Sequence, residues 1–121
     1  MVKIKYIPEK GDIVWVNFDN EFGHEQKGRR PALVLSSSIY NSRSRLALVV
    51  PITSKTKSYP LEVTFSGNKI KGYILSDQIK SYDWHNRDFS YISRIDRISY
   101  DEVMKKVWSI IFDDSASIFI D

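Results

Sequence analysis

The chain lacks cysteine altogether and has only two histidines, His24 and His85, among its 121 residues. The first absence excludes disulfides and thiolate metal sites, and the scarcity of imidazoles disfavours a dedicated metal site. No apolar run approaches the roughly 18 residues that a membrane-spanning helix needs. The N-terminal residues are too polar to open a signal peptide. We therefore expect a soluble, cytoplasmic protein without a cofactor, a metal or a membrane segment.

Two motifs of common enzymes are also missing. There is no G-x-x-x-x-G-K-[ST] string, which argues against a loop that cradles nucleotide phosphates. There is no G-x-S-x-G string either, and the lack of cysteine removes a thiol nucleophile. Internal repeats, low-complexity tracts and a second domain are not indicated.

The length and charge are those of one small domain with a slight excess of cations. With 121 residues, of which 42% are hydrophobic, the chain can bury a modest core as a single domain over residues 1–121. Lysine and arginine number 18 and aspartate and glutamate 15, giving a net charge of +3. This excess is compatible with a polyanionic partner, but a solvated surface can carry it equally well.

Most of the chain has the pattern of short β-strands. Runs of β-branched, aromatic and aliphatic residues are separated by glycine, asparagine and serine. The predicted strands are residues 13–18, 32–36, 46–52, 61–65 and 73–75, and residues 41–42 are a predicted turn. Strands at this spacing predict a mainly β fold, a small antiparallel barrel or curled sheet.

The last third of the chain changes to a helical period. Ser99 and Glu102 have the spacing of a capping box, which predicts the start of a helix. The apolar face predicted for this helix consists of Val103, Val107, Ile110 and Ile111. We expect this C-terminal helix to pack on the sheet and close the core. Residues 113–121 fit either a short edge strand or a frayed end.

Two segments concentrate polar chemistry between predicted strands. Residues 23–31, with the sequence GHEQKGRRP, hold two glycines, a histidine, a carboxylate, an amide and three cations. Residues 51–60, with the sequence PITSKTKSYP, supply hydroxyls and cations. A polar loop between rigid strands is a typical place for a binding or catalytic site. Hydroxyl and cationic donors together are what a phosphate-handling site needs.

Arg30 and Thr53 are the first candidates for that chemistry. Arg30 precedes Pro31, which favours an extended backbone, and its guanidinium can grip a phosphate with two hydrogen bonds. A structural ion pair with Glu25 is the alternative interpretation, and both can hold. Thr53 and Ser54 follow a predicted strand, where hydroxyls either donate to a phosphate or cap a turn.

Five further residues, in three segments, carry weaker signals. His24 has a side chain suited to proton transfer near neutral pH, or it is a surface residue. Lys55 and Lys57 are expected to be exposed whatever the function. Asp77 and Gln78 follow a short strand, where they orient a substrate or fix a turn.

Several strings occur in an order that resembles the MazF/PemK toxins of bacterial toxin–antitoxin modules. They are GDIVWVNFD at 11–19, GHEQKGRRPALVLS at 23–36, VPITS at 50–54, YPLEV at 59–63 and SDQIKS at 76–81. The resemblance covers residues 11–87 and the helix that follows. It implies an SH3-like antiparallel barrel with appended helices, a homodimer, and a cognate antitoxin of the MazE kind with an acidic tail. It also implies metal-independent, sequence-specific cleavage of single-stranded RNA, in which the 2′-OH attacks and leaves a 2′,3′-cyclic phosphate and a 5′-OH.

The resemblance assigns roles residue by residue. It places a catalytic arginine at Arg30, a catalytic threonine at Thr53 and a loop carboxylate at Glu25. His24 is a fourth catalytic candidate, because some members carry a working histidine there. The candidate RNA contacts are Gln26, Lys27, Arg29, Ser54, Lys55, Lys57, Asp77, Gln78 and Arg87. Which of Glu25 and His24 is the base and which the acid stays open.

Two departures from the family pattern bear on which type of member the chain resembles and on how it binds RNA. PemK-type members carry an arginine two residues before the Asp of Asp-Gln, where this chain has Leu75, so a MazF-like arrangement is favoured. Many members have the sequence Trp-Arg-x-Arg where residues 84–87 of this chain are WHNR. The first arginine is thus replaced by His85, and the loss of that cation would alter RNA binding.

Two other functions are compatible with the sequence. One is a gyrase-poisoning toxin of the CcdB kind, which shares the fold and acts by binding a protein. The other is a barrel that binds RNA without cutting it. The loop at residues 23–31 argues against the first.

Overall fold

The computed structural model describes residues 6–18 and 28–112. This part of the chain forms seven β-strands and two α-helices. In chain order they are β1 (Asp12–Phe18), β2 (Gly28–Val34), α1 (Ser38–Ser44), β3 (Leu46–Thr53), β4 (Glu62–Ser66), β5 (Lys71–Leu75), β6 (Lys80–Asp83), β7 (Ser90–Arg94) and α2 (Arg97–Phe112). Neither of these two helices is long and apolar enough to cross a membrane.

The strands form one curled antiparallel sheet in the order β4-β5-β3-β2-β1-β7. β6 pairs with the first half of β3, and β5 pairs with the end of β3 along the same edge. Among the described residues the end strands β4 and β7 do not pair with each other, so the curled sheet is a half-barrel. The mainly β class with a C-terminal helix on the sheet, expected from the sequence, is confirmed.

The sheet buries apolar side chains on both faces, because alternate residues of each strand point to opposite sides. The face that packs against α2 carries the larger group, which we call the helix-side cluster. Its buried members are Ile13, Leu33, Leu35, Val50, Ile52, Val63, Phe65, Ile74, Ile92, Ile95, Val103 and Val107. Full burial of one aliphatic side chain stabilises a fold by roughly 1.5–3 kcal/mol, so this cluster is the main core.

The opposite face carries a second group, the turn-side cluster, which the N-terminal segment and residues 84–89 cover. Its buried members are Val14, Val16, Ala32, Val34, Ala47, Val49 and Phe89, and Tyr6, Tyr82 and Trp84 pack against them. Tyr6 donates a 2.5 Å hydrogen bond to the buried carboxylate of Asp12, which also pairs with Arg94 at 2.8 Å. Burial, together with this bond, raises the pKa of Tyr6 far above its ordinary value. The N-terminal segment is therefore fastened to the sheet by polar contacts.

The C-terminal helix begins earlier than the sequence predicts, and a different residue caps it. The carboxylate of Asp96 accepts a hydrogen bond from the backbone N–H of Ser99 at 2.9 Å. The carbonyl of Asp96 accepts from the backbone N–H of Tyr100 at 3.0 Å. The capping box predicted at Ser99 and Glu102 is therefore wrong, because an aspartate three residues upstream takes the Ser99 amide.

The apolar face of α2 follows the prediction only in the first half. Val103 and Val107 are buried in the helix-side cluster, and Ile110 is half-buried. Ile111 is 60% exposed and Trp108 is 63% exposed. The prediction that Ile111 packs on the sheet is wrong, because the described residues leave the last turn of α2 uncovered.

The sequence patterns gave no indication of α1, β6 or β7. Residues 41–42, predicted as a turn, lie in α1. Asn41 is buried there, and its side-chain amide donates to the carbonyls of Pro8 at 2.8 Å and Ser36 at 3.0 Å. The contact with Pro8 joins distant parts of the chain, so local periodicity does not reveal it. The tail at residues 113–121 lies outside the described residues.

Candidate active site

The candidate site lies where β2 begins and β3 ends, because these strands are antiparallel neighbours. Ala32 pairs with Pro51 across the two strands. Arg30 and Thr53 each lie two residues beyond this last pair, Arg30 where β2 pairs with β1 and Thr53 where β3 pairs with β5. The two strands therefore bring Arg30 and Thr53 to the same end of the sheet, although they are far apart in the sequence.

Arg30 and Thr53 also project from the same face of the sheet. Residues 30, 32 and 34 share one face of β2, and residues 49, 51 and 53 share one face of β3. Ala32, Val34 and Val49 belong to the turn-side cluster, so Arg30 and Thr53 extend that face beyond its apolar part. Both side chains are half-buried.

Both side chains keep hydrogen-bonding capacity. Among residues 6–18 and 28–112, no partner hydrogen-bonds or ion-pairs with the guanidinium of Arg30. The hydroxyl oxygen of Thr53 accepts a 3.3 Å bond from the backbone N–H of Lys55, so it caps the turn that follows β3. Its hydroxyl proton has no acceptor in the same described ranges. A guanidinium and a hydroxyl placed together with unused donors can bind the oxygens of a phosphate.

Gly72 of β5 supports Thr53 from the neighbouring strand. Thr53 pairs with Tyr73, and a Cβ at Gly72 would lie 2.4 Å from the carbonyl oxygen of Thr53. That distance is far inside van der Waals contact, and the neighbouring atom is rigid backbone. Only glycine lets β5 approach this closely, so Gly72 helps to set the position of Thr53.

Arg29 has a different environment from Arg30. Its guanidinium donates to the side-chain oxygen of Asn17 at 3.0 Å and to the carboxylate of Asp88 at 3.0 Å. It also donates a short hydrogen bond to the hydroxyl of Ser90. These bonds join the base of the β1–β2 hairpin to the segment before β7. The guanidinium of Arg29, a predicted RNA contact, is thus engaged in holding the fold.

Arg87, another predicted RNA contact, is also partly engaged. Its guanidinium lies 4.7 Å from the ring centroid of Tyr82, in cation–π geometry. It also donates a 3.4 Å hydrogen bond to the carbonyl of Asn17. The side chain is half-buried, so part of it still reaches solvent.

The loop of residues 54–60 follows β3 directly and carries three predicted RNA contacts, Ser54, Lys55 and Lys57, all of them exposed. Asp77 and Gln78 are exposed in the turn after β5. Tyr59 donates a short hydrogen bond to Asp77, which ties the loop to that turn. These five predicted contacts therefore lie on two segments that are joined to each other.

Glu62, which the sequence analysis did not single out, organises this loop. Its carboxylate accepts from the hydroxyl of Thr56 at 2.6 Å and from the backbone N–H of Lys57 at 2.5 Å. Burial acts to raise the pKa of Glu62, but these hydrogen bonds outweigh burial and hold the pKa below its ordinary value of 4.5. In the sequence, Glu62 is one outward polar residue of an alternating strand, a pattern that carries no further signal.

Four predicted site residues, His24, Glu25, Gln26 and Lys27, lie outside the described residues. Their roles as proton-transfer groups and RNA contacts stay predictions, as does the alternative ion pair between Arg30 and Glu25. Within the two described ranges, no group of three or more histidine or carboxylate side chains could hold a metal ion.

The protein is a curled antiparallel half-barrel with a helix on one face, and it carries an arginine and a threonine at the end of the other face. The sequence matches the family described as "PemK-like, MazF-like toxin of type II toxin-antitoxin system" over residues 9–111. The chain therefore belongs to this toxin family, and the resemblance noted in its sequence is confirmed.

Relatives and solved structures agree with this assignment. The chain is similar to the endoribonuclease toxin MazF of Escherichia coli (strain K12), with 47% identity over 83 residues, or 69% of this chain and 75% of the relative. It is 29% identical to the endoribonuclease PemK of Escherichia coli over 116 residues, or 92% of this chain and 87% of the relative. A MazE–MazF crystal structure from Deinococcus radiodurans matches with a TM-score of 0.83 and 40% identity, covering 88% of this chain and 97% of that chain.

Proposed function

We propose that this chain is the endoribonuclease toxin of a type II toxin–antitoxin module and that it cuts single-stranded RNA at specific sequences. The observation that carries the proposal is that Arg30 and Thr53 lie at the same end of β2 and β3, two residues beyond the last pair of these strands, with donors that no described residue occupies. The relatives named as endoribonucleases support the class of reaction. The mild net charge of +3 suits a protein that binds short single-stranded sites partly by stacking.

The proposed reaction uses the substrate's own 2′-OH as the nucleophile. The 2′-oxygen forms a bond to the adjacent phosphorus, and the bond from phosphorus to the 5′-oxygen breaks. The 2′-OH proton goes to a base, and the departing 5′-oxygen takes a proton from an acid. The products are a 2′,3′-cyclic phosphate and a 5′-OH. Side chains can supply every group that this route needs, so the route requires no metal.

Arg30 and Thr53 act on the charge that develops at phosphorus. The guanidinium can donate two parallel hydrogen bonds to the non-bridging oxygens, and the Thr53 hydroxyl can donate a third. Since β1 pairs with β2 at Arg30 and β5 pairs with β3 at Thr53, these donors need little reorganisation during the reaction. Glu25 and His24 remain the proposed base and acid, in an order that stays open.

The remaining predicted contacts would bind the flanking nucleotides. Gln26 and Lys27 would act from the loop before β2, and Ser54, Lys55 and Lys57 from the loop after β3. Asp77, Gln78 and Arg87 would line the neighbouring turns. Arg29 is the exception, since its guanidinium is engaged by Asn17, Asp88 and Ser90, and we assign it to positioning the hairpin.

The proposed protein partners are an antitoxin and a second copy of the chain. Solved MazE–MazF complexes from Deinococcus radiodurans support a cognate antitoxin, and an acidic tail would complement the cations around the site. On α2, Ile98 is 80% exposed, Trp108 63% and Phe112 62%, an apolar surface that a homodimer would bury. Light scattering at micromolar concentration should give about twice the 14.1 kDa chain mass. A fully active monomer would refute the dimer.

One assay separates the candidate functions. Pure protein is incubated with a long RNA in EDTA, and the products are sized and their ends analysed. The endoribonuclease yields discrete fragments that carry cyclic phosphates. A gyrase-poisoning toxin of the CcdB kind, or an RNA-binding barrel without activity, leaves the RNA intact.

A substituted substrate tests the identity of the nucleophile. An RNA with a single 2′-deoxy nucleotide immediately 5′ of the cut should bind normally and resist cleavage. If the deoxy-substituted RNA is cut efficiently, water or a side chain attacks the phosphate instead. The roles given to Arg30, Thr53 and Glu25 would then be wrong.

A further inference from the structure

The loop of residues 54–60 is polar and exposed, yet it is fastened at several points. Loops of this kind bury little apolar surface and ordinarily open easily. This loop follows Thr53 directly and carries three of the proposed RNA contacts. Its shape therefore bears on how RNA is held next to the reacting phosphate.

One carboxylate fixes the middle of the loop. Glu62, the first residue of β4, accepts from the Thr56 hydroxyl at 2.6 Å and from the Lys57 backbone N–H at 2.5 Å. The Thr56 hydroxyl in turn accepts from the backbone N–H of Ser58 at 3.0 Å. Three consecutive loop residues are thus tied to one side chain on a strand.

Two other bonds fix the end of the loop. Tyr59 donates to Asp77 in the turn after β5. The ammonium group of Lys106 on α2 donates to the carbonyl of Pro60 at 2.7 Å. These anchors lie after Ser58, and the bond from the Lys55 N–H to the Thr53 hydroxyl lies at the start of the loop. Between them, Glu62 is the described residue outside the loop that holds the segment carrying Lys57.

We propose that Glu62 is a positioning residue that holds residues 55–58 in the conformation that binds RNA. This inference rests on the proposed function. A loop that is already ordered loses less conformational freedom when RNA binds, so the affinity is higher. Glu62 acts through the loop, so it should influence RNA binding more than the chemical step.

The test compares Glu62→Ala with Glu102→Ala, a matched loss of an exposed carboxylate on α2. In the free protein, Glu62→Ala should raise amide hydrogen exchange in residues 54–60 and leave the core strands unchanged. KM for RNA cleavage should rise on the order of tenfold while kcat stays within about twofold, as expected when preorganisation is lost. Affinity for the uncleavable 2′-deoxy RNA should fall by the same factor as KM rises. Glu102→Ala should match the wild type in all three measurements.

A conservative variant separates positioning from charge. In Glu62→Gln, the amide oxygen can accept from the Lys57 N–H, and the amide nitrogen can donate to the Thr56 hydroxyl oxygen. Glu62→Gln should therefore recover most of the affinity that Glu62→Ala loses. Thr56→Val removes one of the two loop donors and should show part of the Glu62→Ala effect. It also provides the readout if Glu62→Ala does not fold.

Three results would overturn the proposal. The first is wild-type exchange in residues 54–60 of Glu62→Ala, which would mean that the carboxylate does not hold the loop. The second is faster exchange with unchanged KM and RNA affinity, which would separate the loop from RNA binding. The third is a fall in kcat at constant KM. Failure of the proposed function looks different, because the wild type would then cut no RNA.

Discussion

Arg29 and Arg30 are neighbours in the sequence, yet they belong to opposite faces of the sheet and have different surroundings. The guanidinium of Arg29 is bound by Asn17, Asp88 and Ser90, on the face that carries the helix-side cluster. The guanidinium of Arg30 has no bonding partner in the described part of the chain and lies on the opposite face, at the same end of the sheet as Thr53. The β-strand alternation that separates them thus assigns one cation to the fold and leaves the other for a ligand.

The two faces of the sheet differ in the same way as these two arginines. The helix-side face is closed by α2 and holds the larger apolar cluster, so changes there should affect the free energy of unfolding. The opposite face ends in half-buried polar side chains at the strand ends, so changes there should affect RNA cleavage. Substitutions on the two faces can test this division.

The largest effect is expected from Arg30→Ala. Loss of one transition-state donor typically lowers kcat by a factor on the order of 10² or more, and Thr53→Ala should have a similar effect. Arg29→Ala, the adjacent control, should lower kcat/KM by less than about tenfold, because its bonds hold the hairpin. Steady-state cleavage of one RNA substrate measures all three variants. An Arg30→Ala protein that cuts at the normal rate would refute the assignment of the site.

Gly72→Ala should have the next largest effect. The new Cβ would lie 2.4 Å from the Thr53 carbonyl oxygen, so β5 or Thr53 must move. Overpacking of this kind costs about 1–3 kcal/mol of stability, and a displaced Thr53 should lower kcat roughly tenfold. Urea denaturation measures the change in stability, and cleavage rates measure the change in kcat. Normal kcat in a folded Gly72→Ala protein would show that β5 does not set the position of Thr53.

Asp96→Ala should destabilise the helix-side face without changing the chemistry. Loss of an aspartate N-cap costs about 1 kcal/mol of unfolding free energy at neutral pH, while kcat should stay within about twofold of the wild type. The measurement is urea denaturation beside an activity assay. A large fall in kcat at an unchanged urea midpoint would contradict the division between the two faces of the sheet.

The Asp96 contribution should also depend on pH. The hydrogen bond from the Ser99 backbone N–H is the main cause that holds the pKa of Asp96 below its ordinary value of 3.8. The folded state therefore binds this proton less readily than the unfolded chain. The stabilisation is complete above the ordinary pKa and is lost as the pH falls through the lowered pKa. The gap between wild type and Asp96→Ala should thus be constant from neutral pH to about pH 5 and shrink below about pH 4.

The smallest effect is expected from Asp88→Asn, which removes the charge of the Arg29 ion pair. Asp88 has a φ of 53°, a left-handed conformation that asparagine also adopts readily, so little strain is added. Its side chain is 72% exposed, and exposed pairs contribute about 0–1 kcal/mol. The loss of unfolding free energy should be measurable only at low salt, and RNA cleavage should be unchanged. A several-fold loss of cleavage would mean that the Arg29 network supports the site directly.

The sequence predicted the strands whose apolar runs are dense, and it missed the elements whose stability comes from distant partners. β1 and β3 end within a residue or two of the predicted bounds, because hydrophobic runs of strand length are a local signal. β2 begins at Gly28 and not at residue 32, because its polar first residues resemble a loop until they pair with β1. β6 and β7 are short and polar, and only their pairing with β3 and β1 makes them strands.

The candidate site divides in the same way. Arg30 and Thr53 could be proposed from the sequence because their residue types, their positions beside apolar runs and the family strings all indicate phosphate chemistry. Gly72 and Glu62 could not, since a glycine and an outward glutamate in a strand carry no signal of their own. Their importance arises from a close backbone approach and from loop donors, both of which require the register between strands.

By itself, then, the sequence determined the mainly β class, the helix that closes the core and the family, and it supplied the residues proposed to act on RNA. It did so because hydrophobic periodicity and residue chemistry are local properties. Only the tertiary structure decided which arginine is bound by carboxylate and hydroxyl groups, which residue supports Thr53 and which carboxylate holds the loop after it. Each of these depends on strand pairing and face, where a shift by one residue would exchange Arg29 for Arg30.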